Sequence, residues 1–132
     1  MTTPIDELIW RINSRDPLRP ASDAIDDAIA AADASVLPRL VTQLQIYLED
    51  GNVDGRDIMC QMLTALVGIE ALPTLVRASA QDLGDDQDAL QHLIIELIEL
   101  YPAPAADLVE ELLRDRSVAV REVAVWAWGF VE

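Results

Sequence analysis

Cysteine, histidine and phenylalanine each occur once in the 132 residues. The single cysteine, Cys60, excludes an internal disulfide and fits a reducing compartment. It lies in a helical segment beside Met59 and Met62, where a small buried apolar residue is the natural reading. A catalytic thiol would need a base close by, and the one histidine is on another segment. With one Phe among 52% apolar residues, the core has to be made from Leu, Ile, Val and Ala. Bases are scarce, 9 against 24 acids, for a net charge of −15. Such a field repels nucleic-acid phosphates and anionic lipid and attracts basic partners. There is no uninterrupted run of 18 apolar residues, so no membrane span is expected. Asp6 and Glu7 stand where a signal peptide needs positive charge, and a cytoplasmic protein is expected. No phosphate-cradling glycine loop, nucleophile elbow or metal-spaced Cys/His cluster occurs. Neither enzymatic activity nor a cofactor is expected.

What is present is helical period. Ile5, Leu8, Ile9 and Ile12 form one stripe, with Thr3 as N-cap, Pro4 at the first helical position and Asp6 as capping-box acceptor. Asp16-Pro17 and Arg19-Pro20 break that helix. Ser22 is the expected cap of a second, alanine-rich helix with Ile25, Ala28, Ile29 and Ala32 inward. Further helices are expected over Val36–Glu49, from after Asp57 to Gly68, and over Ala71–Gln81, Asp86–Leu100 and Ala105–Arg114. The last begins at Ser117. Tyr101-Pro102-Ala103-Pro104 reads as a break. No segment alternates with period two, so the fold class is all-α, with about seven to eight helices.

The stretch Glu49–Asp57, "EDGNVDGRD", opens like a calcium loop, with Asp50, Asn52 and Asp54 as ligands and Gly55 at the sharp turn. Position 12 is Gln61 in place of a bidentate Glu, and position 8 is the charged Asp57. A turn is the reading adopted, with Asp57 opening the next helix and no metal bound. His92 shares a polar face with Asp88, Glu96 and Glu99, opposite Leu90, Leu93, Ile94 and Leu97. With no second histidine it reads as a solvated face.

"LPRLV" at Leu37–Val41 returns as "LPTLV" at Leu72–Val76, 35 positions on, and weakly as "AADLV" at Ala105–Val109, 33 further. Two helices per unit at this period are the signature of an α-solenoid. The tetratricopeptide period is close, but its Trp, Gly, Tyr and Pro positions are not filled. The stretch Asp115–Phe130, "DRSVAVREVAVWAWGF", resembles the first helix of a HEAT repeat of the short bacterial kind, through Asp115, Val120, Arg121, Ala124, Ala127 and Gly129. The resemblance covers about Ser22–Glu132 and is sharp only in this helix. It implies one helical-repeat domain over residues 1–132: a capping helix within 1–15, then antiparallel pairs stacked in a right-handed superhelix, usually with a protein-binding surface. It also implies that Arg121, with Asp115, braces an inter-repeat turn, that Trp128 is buried and that Trp126 is exposed.

In a solenoid the turns between repeats line one edge. Asp82, Asp85 and Asp86 would then join Asp50, Asp54, Asp57, Asp88 and Asp115 in an acidic ridge, although capping and the helix dipole also favour Asp at such places. Stacking the second helices aligns Arg39, Thr74 and Asp107, then Thr42, Arg77 and Glu110, then Gln43, Ala78 and Glu111, rows that turn acidic toward the C-terminus. The final helix has almost no polar face, and the chain stops before a second helix could cover it. Either another protein or a second copy of this chain is expected to cover it, or the N-terminal helix or the Trp-bearing end itself folds back over it. The partner surface is therefore assigned to Asp82, Asp85, Asp86, Asp107, Glu110, Glu111 and Trp126, and the partner is expected to be a basic protein. The type resembles immunity proteins that neutralise basic nuclease toxins. The alternatives are relatives of HEAT-like bilin lyases or alkylpurine glycosylases, of which the latter need a basic groove, and a regulatory scaffold.

Overall fold

The computed structural model describes residues 3–14, 21–84 and 87–131. Among these there is no strand. Eight α-helices follow in order: α1 Pro4–Ser14, α2 Ala21–Ala31, α3 Leu37–Asp50, α4 Val53–Val67, α5 Leu72–Ser79, α6 Asp88–Leu100, α7 Pro102–Leu112 and α8 Val118–Trp128. Short 3-10 turns, Ala34–Val36 and Gly68–Ala71, lead into α3 and α5.

Local chemistry sets most of the helix starts. At α1 the capping box closes reciprocally: the Asp6 amide donates to Thr3 Oγ1 at 3.2 Å and the Thr3 amide to Asp6 Oδ2 at 3.3 Å. At α8 the Val120 amide donates to Ser117 Oγ at 3.3 Å. Helix α2 begins at Ala21, so Ser22 is already a helical residue.

Two joints are tighter than the sequence implies. Only Gly51 and Asn52 separate α3 from α4. Gly51 takes the left-handed conformation at φ 71°, which glycine adopts without a Cβ clash, and ends α3. Asn52 Oδ1 then accepts the Gly55 amide at 2.9 Å and caps α4. The helix thus starts at Val53 rather than at Asp57, because the side chain of Asn52, five residues before Asp57, satisfies an amide of its first turn. Likewise Tyr101 alone joins α6 to α7. Pro102 occupies the first turn of α7, where its missing N–H costs nothing, so the expected break at 101–104 is already helix.

Helix α4 is central, packing against α2, α3, α5 and α6. Its Met59, Cys60 and Met62 are fully buried. Apart from α2 and α3, helices adjacent in the chain pack against each other; α5 also meets α7 and α8. The buried side chains form one cluster running from Ile5 on α1 to Ala127 on α8. The helical stretch Val53–Ser79, 27 residues, is long and apolar enough by length and composition to cross a membrane. It bends at Gly68, with φ 59° and ψ −127°, and turns Met59, Met62, Leu63, Leu72 and Leu75 inward against other helices. That burial accounts for its apolar character.

Candidate functional site

Helix α7 carries its acids outward. Asp107, Glu110 and Glu111 sit at i, i+3 and i+4, and all are exposed. Val109 and Leu112, between and beyond them, are buried and seat the helix. Among the described residues this face has one ion pair, Arg114, itself 79% exposed, 3.5 Å from Glu110. In water such a pair contributes little. Asp82 is exposed in the connection after α5, where its Oδ1 accepts the Gly84 amide at 2.8 Å. Asp85 and Asp86 lie outside the described residues.

Trp126 and Trp128 exchange the places expected of them. Helix α8 seats Val120, Ala124 and Ala127 in the core. Its flank with Ala119, Glu122, Val123 and Trp126 faces the end of α5 and the start of α6. Trp126 is therefore half-buried, with Phe130 in a T-shaped contact at 5.1 Å. Trp128, on the other flank of the last turn, is 42% exposed.

That flank forms one wall of a cleft of about 450 Å³. Asp82, Gln87 and Gln91 line it from the other side. The cleft brings together two of the residues assigned to the partner surface, Asp82 and Trp126; none of the α7 acids lines it. Glu122, a third ionisable or aromatic wall residue, went unnoticed in the sequence. The available signal was its place four residues before Trp126 on one helix face.

Arg121 donates from Nη1 to the carbonyl oxygens of Asp115 at 2.7 Å and Arg116 at 3.2 Å. Its partners are the backbone of the turn that enters α8, not a carboxylate. The Asp115 carboxylate is engaged elsewhere, accepting from Arg77 Nη2 at 2.8 Å and from the Ser117 amide at 3.0 Å. The hydrogen bond from Arg77 lowers the Asp115 pKa most, followed by that from Ser117. Arg77 thus ties α5 to the α7–α8 turn across 38 positions of sequence.

Arg56 is fully buried, its Nη2 2.8 Å from Asp57 Oδ1. It lies at helical spacing with Met59, Cys60 and Leu63 on the buried side of α4. Burial pushes the Cys60 thiol up to about 12, which leaves it protonated and inert at neutral pH. His92, with Asp88, Glu96 and Glu99, is exposed. Asp50, Asn52 and Asp54 are a helix end, a cap and a helical residue, so no twelve-residue calcium loop exists there. Among the described residues no group of three or more His, Cys, Asp or Glu is placed to hold a metal ion.

Compared with family models, curated proteins and solved structures, the chain matches none.

Proposed function

We propose that this chain is a non-enzymatic, HEAT-like helical-repeat protein whose acidic surface binds a basic protein in the cytoplasm. The observation that carries the reading is the exposed α7 face, where Asp107, Glu110 and Glu111 stand with one loosely paired arginine. Of the other described arginines in the C-terminal half, Arg77 is engaged on Asp115 and Arg121 on backbone carbonyls, and Arg116 is exposed in the turn before α8. Uncompensated carboxylates on a chain of net charge −15 steer a cationic partner and speed its encounter. A nuclease toxin is the kind of basic protein such a surface suits, and immunity to one is the specific role proposed.

Packing supports the repeat architecture. Helices α2, α4 and α6 meet in succession, as do α5 and α7, as first and second helices of stacked pairs would, while α3 packs on α4 and not closely on α2 or α5. Helix α8 leans on α5 as well as α7 and so departs from the regular pattern. Leu40 and Leu75, equivalent in the two best repeats, are both fully buried. Their neighbours Val41 and Val76 differ, at 48% and 0% exposed, because α5 has α7 and α8 beside it.

The test is kinetic. The protein retained from native cytosol by the immobilised chain is identified, expressed, and its association rate measured from about 50 to 300 mM salt, across which the Debye length shortens markedly. Asp107→Asn, Glu110→Gln and Glu111→Gln together should slow association several-fold at low salt while the helical content is unchanged. A partner of neutral or acidic charge, or an association rate indifferent to salt and to the three substitutions, would overturn the reading.

A further inference from the structure

The cleft between the α8 flank and Asp82, Gln87 and Gln91 combines carboxylates with an indole. Among the described residues its ionisable side chains are Asp82 and Glu122, from opposite walls, and none of the lining side chains is a cation. Trp126 stands one helical turn from Glu122 on the α8 wall, and the small Ala119 leaves room beside them. Facing them, Gln91 offers an amide oxygen one turn from Gln87. The far wall is fixed: buried Ser79 donates from Oγ to Gln87 Oε1 at 2.6 Å, tying the start of α6 to the end of α5. Phe130 supports the indole from the other side of the C-terminal turn.

We propose that this cleft binds a guanidinium group. Three features select that chemistry. Two carboxylates with no cation among the described lining residues favour a cation, and a concave site focuses their field relative to a flat surface. The indole, the best cation–π acceptor among side chains, favours a cation that is planar and weakly hydrated. Carboxylate and amide oxygens on both walls match a fork of five N–H donors better than the compact ammonium of lysine. A partner arginine inserted here would add an aromatic-and-charge anchor to the steering by the α7 acids. The arginine's belonging to a protein rests on the basic partner proposed above; the affinity of the cleft for guanidinium does not.

The experiment uses the full chain with Trp10→Phe and Trp128→Phe, both exposed positions, so that Trp126 is the only indole. Its fluorescence is titrated with N-acetyl-arginine amide, its neutral isostere N-acetyl-citrulline amide, and N-acetyl-lysine amide. A saturable change is expected with the arginine amide, at least tenfold weaker with citrulline amide and several-fold weaker with lysine amide. Glu122→Gln and Asp82→Asn should each weaken arginine amide binding about threefold to tenfold, and circular dichroism checks that each variant is folded. The triple α7 variant should bind the amide as the parent does, which separates this site from the steering surface. Equal binding of arginine and citrulline amides, or no saturable change in a folded protein, overturns the guanidinium site. Lysine amide binding as tightly as arginine amide overturns the preference for the planar cation. If Glu122→Gln loses the amide while partner affinity is unchanged, assignment of the guanidinium to the partner is overturned.

Discussion

Gly55→Ala separates two accounts of the same glycine. In a calcium loop Gly55 would be the sharp turn; in the structure it is the third residue of α4, pressed under Tyr47 of α3. In an exposed helix, alanine in place of glycine stabilises by about 1 kcal/mol. At Gly55 an added Cβ would lie 2.5 Å from Tyr47 Cγ, 2.6 Å from Cδ2 and 2.7 Å from Cδ1. Those atoms are the root of a ring, not the end of a flexible chain. The ring is 2% exposed, and its hydroxyl donates to Asn13 Oδ1 at 3.1 Å, so it is held at both ends. Relief requires α3 and α4 to move apart, and overpacking of this kind costs about 1–3 kcal/mol. The first turn of a helix realises only part of the propensity gain, so overpacking wins, and a net loss of about 1–2 kcal/mol is expected. Urea unfolding followed by circular dichroism measures it. In a Tyr47→Leu background the ring is gone, and the same substitution should be neutral or stabilising, a coupling of at least about 1 kcal/mol. Millimolar calcium should leave every midpoint where it was. A Gly55→Ala protein as stable as the parent, or an equal cost in both backgrounds, would refute the packing argument; a calcium-dependent midpoint would reinstate the metal.

Two further outcomes concern the entry to α8. Arg121→Ala removes two charge-assisted bonds to the carbonyls of Asp115 and Arg116 and should destabilise by about 1–3 kcal/mol, read from thermal unfolding, with Arg121→Lys restoring part of the loss; an unchanged transition would show that the brace carries no stability. The Asp115 pKa is lowered in the folded state, so its contribution is present above the ordinary carboxylate value and is lost as pH falls through that value toward the lowered one. The stability difference between the parent and Asp115→Asn should accordingly be largest near neutrality and shrink below about pH 4. A difference that is flat from pH 7 to about 3, or carboxylate titration of Asp115 by NMR at its ordinary value, would contradict the bonds from Arg77 and Ser117.

The helices and their polar faces were legible because the rules that set them are local. Thr3 with Asp6, and Ser117 with Val120, satisfy amides within three residues. The stripes Ile5–Ile12 and Leu90–Leu97 follow from the helical period alone, as do the exposed face of His92 and the interior place of Cys60. The start of α4 was also local, but two residues competed for it, and Asn52 took it from Asp57 by reaching the Gly55 amide. Tertiary structure decided what depends on how a helix is rotated against partners distant in sequence. Arg56 is interior because α4 is covered on several sides. Trp126 rather than Trp128 is sheltered because α8 turns one flank toward α5 and α6. Asp115 serves Arg77 rather than Arg121 because α5 passes beside that turn. The cleft itself joins Asp82 to Glu122 and Trp126 from elements some forty positions apart. Period and capping act within about a turn of helix, so they fix which residues share a face. Which of those faces meet is set by packing the whole cluster at once, and no local spacing encodes it.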